Sequence, residues 1–382
     1  MKSREILFDR EITGIEDCVT QFGPARSFEG RILTASELGD SEILIVRSVT
    51  TVNGDLLQGS RIKLVCSATA GIDHVDTNYL KNAGIDFFST RGCNSEAVVE
   101  YTISTILLYA HSRGLSLSDL TIGIIGFGNI GKRLAVVLKR LGISFLANDP
   151  PLKEGELTDK SFFSDIEEII ACDVVTLHVP LVREGPFPTE NLITLSLLKK
   201  MKKNTLVINT SRGGVINESD LLDFLSEGGD LYVILDCWCG EPKIDASLAS
   251  LVWKASPHIA GSSIKSRQKS VSALSRKLSN YLGVPKDTHR EVTGLKEDIK
   301  VTVQPARCLV DLLDELVPIN SSSLEMKTLK NISSRVDVGK KFDLIRKTFG
   351  NRKDFSFYWV TPTSPEKELM IKIGFRVDAL DL

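Results

Sequence analysis

The stretch Thr121-Ile122-Gly123-Ile124-Ile125-Gly126-Phe127-Gly128-Asn129-Ile130-Gly131 is the most informative local signal for the fold. A short β-rich run leads into a turn with three spaced glycines, and a helix-compatible run follows, with Gly142 at its end. Gly126 suits a tight turn, Gly128 lets the backbone approach a ligand, and Gly131 lets helix and strand pack closely. The helix N-terminus would then face a pyrophosphate with its partial positive charge. The alternative is a plain strand-to-helix turn without a ligand.

Asp149 closes the next predicted strand, at the separation from the glycine turn that suits an acceptor for the ribose hydroxyls of a dinucleotide. Its charge would repel a 2′-phosphate, and the residues that follow it are Pro150 and Pro151 rather than arginines. The sequence therefore favours NAD over NADP. We expect cofactor contacts from Gly126, Gly128, Asn129, Ile130, Gly131 and Asp149. Asp149 could instead only cap a turn.

Short apolar runs alternate with helix-length spacers on both sides of this turn. Continuous apolar runs of this kind are typical of parallel strands that are buried on both faces. We predict an α/β protein with two doubly wound parallel-sheet domains and a smaller α+β C-terminal domain. The first is a flavodoxin-like substrate domain at 1–95, completed by about 265–285; the second is a Rossmann NAD domain at 96–264; the third spans 286–382.

The composition excludes several other classes of protein. A net charge of -2 over 382 residues gives no general attraction for nucleic acid or for an anionic membrane. No apolar run suits a secretory signal or a membrane span, so we expect a soluble, cytoplasmic protein. Seven scattered cysteines suit a reducing compartment. Cys237 and Cys239 lack a second pair or a histidine at zinc spacing, so no metal is expected.

Three ionisable residues downstream of the glycine turn suggest the chemistry. His258 lies in a loop of small residues and could accept a proton near neutral pH. Glu241 follows a predicted strand and could fix the tautomer of that imidazole and favour the imidazolium. Arg212 follows another, and its planar fork suits bidentate binding of a substrate carboxylate. A base, its partner and a carboxylate anchor are what oxidation of a 2-hydroxy acid requires.

Each of the three residues also has an ordinary structural interpretation. His258 could be a satisfied loop residue, Glu241 a solvated charge and Arg212 half of a surface ion pair. Their joint occurrence at the ends of successive predicted strands argues against this, because ligands bind at the carboxyl ends of strands in open α/β sheets.

The chain resembles the D-isomer-specific 2-hydroxy acid dehydrogenases over nearly its full length. The resemblance rests on the glycine turn and on the stretches Val46-Arg47-Ser48-Val49-Thr50, Ala68-Thr69-Ala70-Gly71-Ile72-Asp73, Leu177-His178-Val179-Pro180-Leu181 and Pro257-His258-Ile259-Ala260-Gly261. It is weaker in the C-terminal part, at Phe342-Asp343-Leu344-Ile345-Arg346-Lys347.

The resemblance implies that His258 is the acid/base and that Arg212 and Glu241 complete the catalytic set. It further implies that Asp236 contacts the nicotinamide end and that Gly261 lies at the cofactor. The substrate residues that it implies are Ser48, Thr69 and Ser262. Arg47 is a candidate phosphate ligand on charge grounds, or else a solvent-facing arginine at a strand end.

This chain departs from the family at two places. Ser262 stands where a tyrosine is common, and Cys237 and Cys239 stand where Val and Glu are common. We expect NAD-dependent oxidation of a phosphorylated 2-hydroxy acid. The resemblance implies a homodimer that associates through the C-terminal domain at 286–382. The alternatives are another dehydrogenase of the same class, such as one acting on 3-phosphoglycerate, or an NAD-sensing protein without turnover.

Overall fold

A computed structural model describes residues 4–155, 161–284, 309–360 and 366–377. These residues form two compact units. The first contains the chain up to Asn94 together with the helix that begins at Ile264, and the second contains residues 95–263 and the described C-terminal residues.

The first unit is built on a parallel sheet whose described strands are β1 (Ile6–Asp9), β2 (Ala25–Phe28), β3 (Ile43–Val46), β4 (Leu64–Ser67) and β5 (Asp86–Ser89). Their order is β2-β1-β3-β4-β5, which is the flavodoxin-like order. Its α-helices span Ile15–Val19, Gly54–Leu57, Thr77–Asn82 and Ile264–Leu282, and short 3₁₀ helices span Gly30–Ile32 and Ala35–Leu38.

Both faces of the first sheet are buried, which explains the continuous apolar runs. Ile6 and Phe8 of β1 lie in one apolar cluster, which Leu274 and Leu278 of the helix Ile264–Leu282 complete. Leu7, between them in sequence, lies in the cluster on the opposite face. Successive side chains of a strand point to opposite faces, so a strand covered on both sides must be apolar throughout.

The second unit has a parallel sheet of β6 (Thr121–Ile125), β7 (Ser144–Asn148), β8 (Val174–Leu177), β9 (Leu206–Asn209), β10 (Tyr232–Leu235) and β11 (Lys254–Ala255). Their order is β11-β10-β9-β8-β6-β7. The chain leaves β6 for β7 on one side and continues with β8 on the other. The carboxyl end of β6 is therefore the switch point at which ligands bind in such folds.

The α-helices of this unit before the C-terminal part span Ser95–Arg113, Asn129–Leu141, Pro150–Glu154, Ile166–Ile170, Leu195–Lys200, Glu218–Ser226 and Ala246–Leu251. A 3₁₀ helix spans Leu117–Asp119. The prediction of two parallel α/β sheets is confirmed.

The described C-terminal residues pack on the second unit. Their α-helices span Leu309–Leu316, Ile319–Lys327, Arg335–Phe349 and Lys367–Ile373, their 3₁₀ helices span Thr328–Asn331 and Phe355–Phe357, and β12 (Trp359–Val360) pairs in parallel with β13 (Arg376–Val377). Phe342 and Ile345 lie in the same apolar cluster as Val207 and Leu235 of the sheet. This segment is α+β, whereas the predicted domain boundaries, including a separate third domain from 286, stay predictions.

Candidate active site

The glycine turn has the space and the backbone geometry that a dinucleotide needs. Gly126 has a φ of 92°, and a Cβ there would lie 2.8 Å from the backbone of His178. A Cβ on Gly131 would collide with the carbonyl oxygen of Gly126, so helix and strand pack closely only because Gly131 has none. Gly128 has open space around the Cβ position. The turn can thus admit a pyrophosphate at Gly128, where the helix Asn129–Leu141 begins.

Asp149 lies beside this turn. One carboxylate oxygen accepts a hydrogen bond from the amide of Phe127 at 2.8 Å, and the other accepts from the amide of Leu152 at 3.2 Å, which caps a short helix. The capping role that the sequence left open is therefore present, and the same side chain also holds the glycine turn. Its contact with a ribose stays a prediction.

His258 and Glu241 form a direct pair. Nδ1 of His258 lies 2.9 Å from Oε2 and 3.1 Å from Oε1 of Glu241, and the two side chains are 30% and 20% exposed. Oε1 also accepts a hydrogen bond from the amide of Trp238 at 2.8 Å. Burial alone would raise the pKa of Glu241, but the His258 charge, the hydrogen bond to it and the charge of Arg346 outweigh burial and lower it. With Nδ1 committed to Glu241, Nε2 is the ring nitrogen left for chemistry.

The loop that carries His258 is held by Asp236, which is buried at the end of β10. Its Oδ1 accepts hydrogen bonds from the hydroxyl of Ser256 at 2.6 Å and the amide of Ile259 at 2.7 Å, and its Oδ2 accepts from the amide of Ala260 at 3.0 Å. The amide of His258 donates to the Asp236 carbonyl at 2.7 Å, and His258 has a φ of 56°, in the left-handed region that non-glycine residues rarely adopt. A dense set of bonds is what keeps such a conformation populated.

The nicotinamide contact that the resemblance implies for Asp236 stays a prediction. The same holds for Gly261, which is partly exposed in the same loop. What the structure adds is that both Asp236 oxygens already serve the backbone and side chains that position His258.

Arg212 is connected to the region of this pair through Cys237, since both residues donate to one backbone carbonyl. Its Nη1 donates to the carbonyl of Ser211 at 2.6 Å, and the thiol of Cys237 donates to the same carbonyl at 3.4 Å. Burial, reinforced by the charges of Asp236 and Glu241, raises the pKa of Cys237 well above its ordinary value, while Arg212 opposes this. The three residues that the sequence singled out all follow carboxyl ends of strands in the second sheet. His258 and Glu241 are in direct contact, and Arg212 is linked to the adjacent Cys237 through the Ser211 carbonyl.

The substrate residues expected in the first unit follow the ends of β3 and β4. The guanidinium of Arg47 is paired with Asp9 at 2.8 Å and with Glu11 at 3.0 Å. Ser48 is exposed, and the hydroxyl of Thr69 lies 2.9 Å from that of Ser67. Their contact with a substrate stays a prediction.

Ser262 also has a partner. Its hydroxyl donates to the carbonyl of Gly350 at 2.6 Å, and the hydroxyl of Ser263 donates to Asp354 at 2.7 Å. A parallel bridge joins Ser263 to Arg352. The C-terminal segment 350–354 is thus hydrogen-bonded to the loop that follows His258. The substrate role of Ser262 stays a prediction.

The sequence reasoning missed the buried ion pair that anchors this segment. Arg352 donates to Glu100 at 2.6 Å and to the carbonyl of Ala97 at 2.6 Å, and the amide of Phe355 donates to Glu100 at 2.9 Å. Burial raises the pKa of Glu100 to about 7 in spite of the adjacent guanidinium. The available signal was a single glutamate in the middle of the apolar run of the helix Ser95–Arg113.

Comparison with known proteins identifies the class of this protein. Residues 108–260 match the D-isomer specific 2-hydroxyacid dehydrogenase, NAD binding domain. The chain belongs to the D-isomer-specific 2-hydroxyacid dehydrogenase family, and the predictions of an oxidoreductase and of NAD as its cofactor are confirmed.

Its full-length relatives are more specific. The chain is 35% identical to the erythronate-4-phosphate dehydrogenase of Escherichia coli O127:H6 and 34% identical to that of Shigella boydii serotype 4, over 97% of this chain and 98% of each relative.

Solved structures of lower identity share the fold. The Aquifex aeolicus D-lactate dehydrogenase, complexed with NAD and lactic acid, is 22% identical with a TM-score of 0.62. The match covers 74% of this chain and 97% of the dehydrogenase chain. The Entamoeba histolytica 3-phosphoglycerate dehydrogenase with bound NAD⁺ is 23% identical with a TM-score of 0.62. The match covers 74% of this chain and 96% of the Entamoeba chain.

Proposed function

We propose that this chain catalyses the NAD-dependent oxidation of 4-phospho-D-erythronate at C2 to 2-oxo-3-hydroxy-4-phosphobutanoate. The observation that carries the proposal is the His258–Glu241 pair beside Arg212 at the carboxyl edge of the NAD domain. The substrate is taken from the full-length similarity to erythronate-4-phosphate dehydrogenases. The reaction would serve pyridoxal 5′-phosphate biosynthesis.

The chemistry divides between the cofactor and the protein. NAD, held at the glycine turn and Asp149, would supply the acceptor for the C2 hydride. Nε2 of His258 takes the proton of the C2 hydroxyl, and Glu241, held at Nδ1, stabilises the imidazolium that forms. Arg212 binds the substrate carboxylate and polarises the C2 oxygen. Its Nη1 also donates to the Ser211 carbonyl, which helps to orient the guanidinium.

The phosphate end of the substrate is assigned to the first unit. Arg47 supplies the charge, together with hydroxyls of Ser48 and Thr69, and Ser262 is the candidate contact from the NAD domain. Nε and Nη2 of Arg47 already pair with Asp9 and Glu11, so a phosphate would bind through the remaining N–H groups of the guanidinium. Substitution of Arg47 should therefore raise KM for phosphorylated acids more than it lowers kcat.

The active form is proposed to be a cytoplasmic homodimer that associates through the C-terminal residues. Leu324, Val336 and Leu344 on the C-terminal helices are 71%, 53% and 57% exposed, which suits an apolar contact with a second copy. The cysteines of the described residues are free, as suits a reducing compartment. No helix of the described ranges is both long and apolar enough to span a bilayer. Sedimentation of wild type and of Leu344→Glu tests the dimer.

A panel of purified 2-hydroxy acids with NAD tests the function, with absorbance of the reduced cofactor as the readout. The proposal expects the highest kcat/KM for 4-phosphoerythronate. Higher kcat/KM for 3-phosphoglycerate would assign the chain to that reaction instead. NAD binding without turnover of any acid would favour a sensor. His258→Ala is the matched control, because it should abolish most turnover and leave NAD affinity near wild type.

A further inference from the structure

Three different ligand types converge beside the candidate active site. One ligand atom each from Cys237, Glu241 and His258 lies within 4.8 Å of the other two. Cys237 is fully buried, and its thiol donates to the Ser211 carbonyl at 3.4 Å. The reaction proposed above uses Glu241 and His258 and gives the thiol no part.

We propose that Cys237, Glu241 and His258 form a Zn²⁺ site, and that the enzyme with Zn²⁺ bound there cannot turn over. The inhibition rests on the proposed function, whereas the metal site itself does not. Thiolate, imidazole and carboxylate are all zinc ligands, and three protein ligands with an open fourth position is a common zinc arrangement. The resemblance places valine where this chain has Cys237, so the site is a property of this chain rather than of the reaction.

The distances suit this ion with a small adjustment. Two ligands at about 2.0 to 2.1 Å from a tetrahedral ion lie about 3.3 Å apart. Nδ1 of His258 and Oε2 of Glu241 are already 2.9 Å apart. The sulfur lies at most 4.8 Å from each of the other two ligand atoms. Zinc–sulfur bonds of about 2.3 Å require a separation of about 3.5 Å, so the sulfur approaches by at most about 1.3 Å, which rotation about the Cα–Cβ bond of Cys237 can provide.

Charge balance also favours a dication. The thiolate and the Glu241 carboxylate together neutralise Zn²⁺, which limits the cost of burying the ion. Binding to neutral His258 releases one proton, that of the thiol, because the imidazole keeps its own proton on the other nitrogen. Mg²⁺ and Ca²⁺ prefer oxygen ligands and should not compete.

Inhibition follows from the tautomer that the metal imposes. A metal on Nδ1 leaves the single ring proton on Nε2, so the imidazole has no lone pair to accept the substrate hydroxyl proton. Glu241, bound to the metal, no longer accepts a hydrogen bond from Nδ1. The glycine turn is untouched, so NAD binding should persist while turnover stops.

Cobalt binding tests the site without any substrate. Co²⁺ added to the wild-type protein should give a near-ultraviolet thiolate-to-cobalt absorption band that Zn²⁺ abolishes. The band should be absent in Cys237→Ser and Cys237→Val and retained in Cys239→Ser, the matched control. Circular dichroism and thermal unfolding establish that both Cys237 variants are folded. A band that follows Cys239, or no band in wild type, overturns the proposal.

Turnover measurements then test the inhibition. Rates are measured at buffered concentrations of free Zn²⁺ and divided by the zinc-free rate of the same protein. The Zn²⁺ concentration for half-inhibition should be at least about tenfold higher in the folded Cys237 variant than in wild type, and a chelator should restore wild-type activity. Equal zinc sensitivity in wild type and Cys237→Val would refute the inhibitory role. If no 2-hydroxy acid is oxidised at all, the cobalt band still decides the site, so the two proposals fail separately.

Discussion

Replacement of Glu241 by Gln tests the pairing on which the proposed chemistry depends. The substitution keeps the shape and an amide oxygen that can still accept from Trp238, but it removes the charge that faces the imidazolium. The reaction creates that imidazolium, so the lost interaction belongs to the transition state more than to the ground state. We therefore expect kcat to fall and NAD affinity to stay close to wild type.

The magnitude follows from the geometry. A hydrogen bond to a charged group contributes about 1.5 to 3 kcal/mol, and the 2.9 Å separation at partly buried side chains places this pair in that range. Since about 1.4 kcal/mol corresponds to a tenfold change in rate, kcat should fall roughly 10- to 150-fold.

Steady-state rates with 4-phosphoerythronate give kcat, and equilibrium titration gives NAD affinity. Glu218→Gln is the matched control, because Glu218 accepts a hydrogen bond from the amide of Cys239 in the same loop at 2.6 Å but does not contact His258. The kcat of Glu218→Gln should stay within about twofold of wild type, a smaller change than the roughly tenfold minimum expected for Glu241→Gln. Glu241→Gln with a kcat equal to that of this control would refute the assigned role.

Further substitutions test the fold around the site. Gly131→Ala should lower the free energy of unfolding by about 1 to 3 kcal/mol in denaturant titrations, because its Cβ meets the carbonyl of Gly126. Gly128→Ala should weaken NAD binding and keep nearly full stability, because the space around its Cβ position is open. Equal stabilities of the two variants would contradict this. Arg352→Met should cost about 3 to 5 kcal/mol because it leaves Glu100 buried without its partner, and adding Glu100→Leu should recover part of that loss. Burial raises the pKa of Glu218 from 4.5 to about 7, so its carboxyl lowers stability as pH rises through this interval. The stability of Glu218→Gln relative to wild type should therefore increase by about 1 to 3 kcal/mol between pH 5 and pH 8 in unfolding titrations, and a pH-independent difference would contradict the burial argument.

The parallel strands and the glycine turn could be predicted from sequence because their signals are local. The helix-compatible run that the sequence places between the glycine turn and Gly142 appears as the helix Asn129–Leu141, with Gly142 as its C-cap. The edge strand β2, with two exposed residues, lacks an apolar run and was missed. Its exposed residues, Arg26 and Ser27, are adjacent and point to opposite faces, so neither face of this strand carries the signal of a buried strand.

The sequence by itself determined the fold class and the NAD cofactor and indicated the candidate reacting side chains, because each inference depends on residue type and spacing along the chain. Only the tertiary structure decided which groups meet: the thiol of Cys237 against the pair of Glu241 and His258, and Arg352 against Glu100 across 252 positions. Such contacts are set by how helices and loops pack around the sheets, and no local periodicity encodes them.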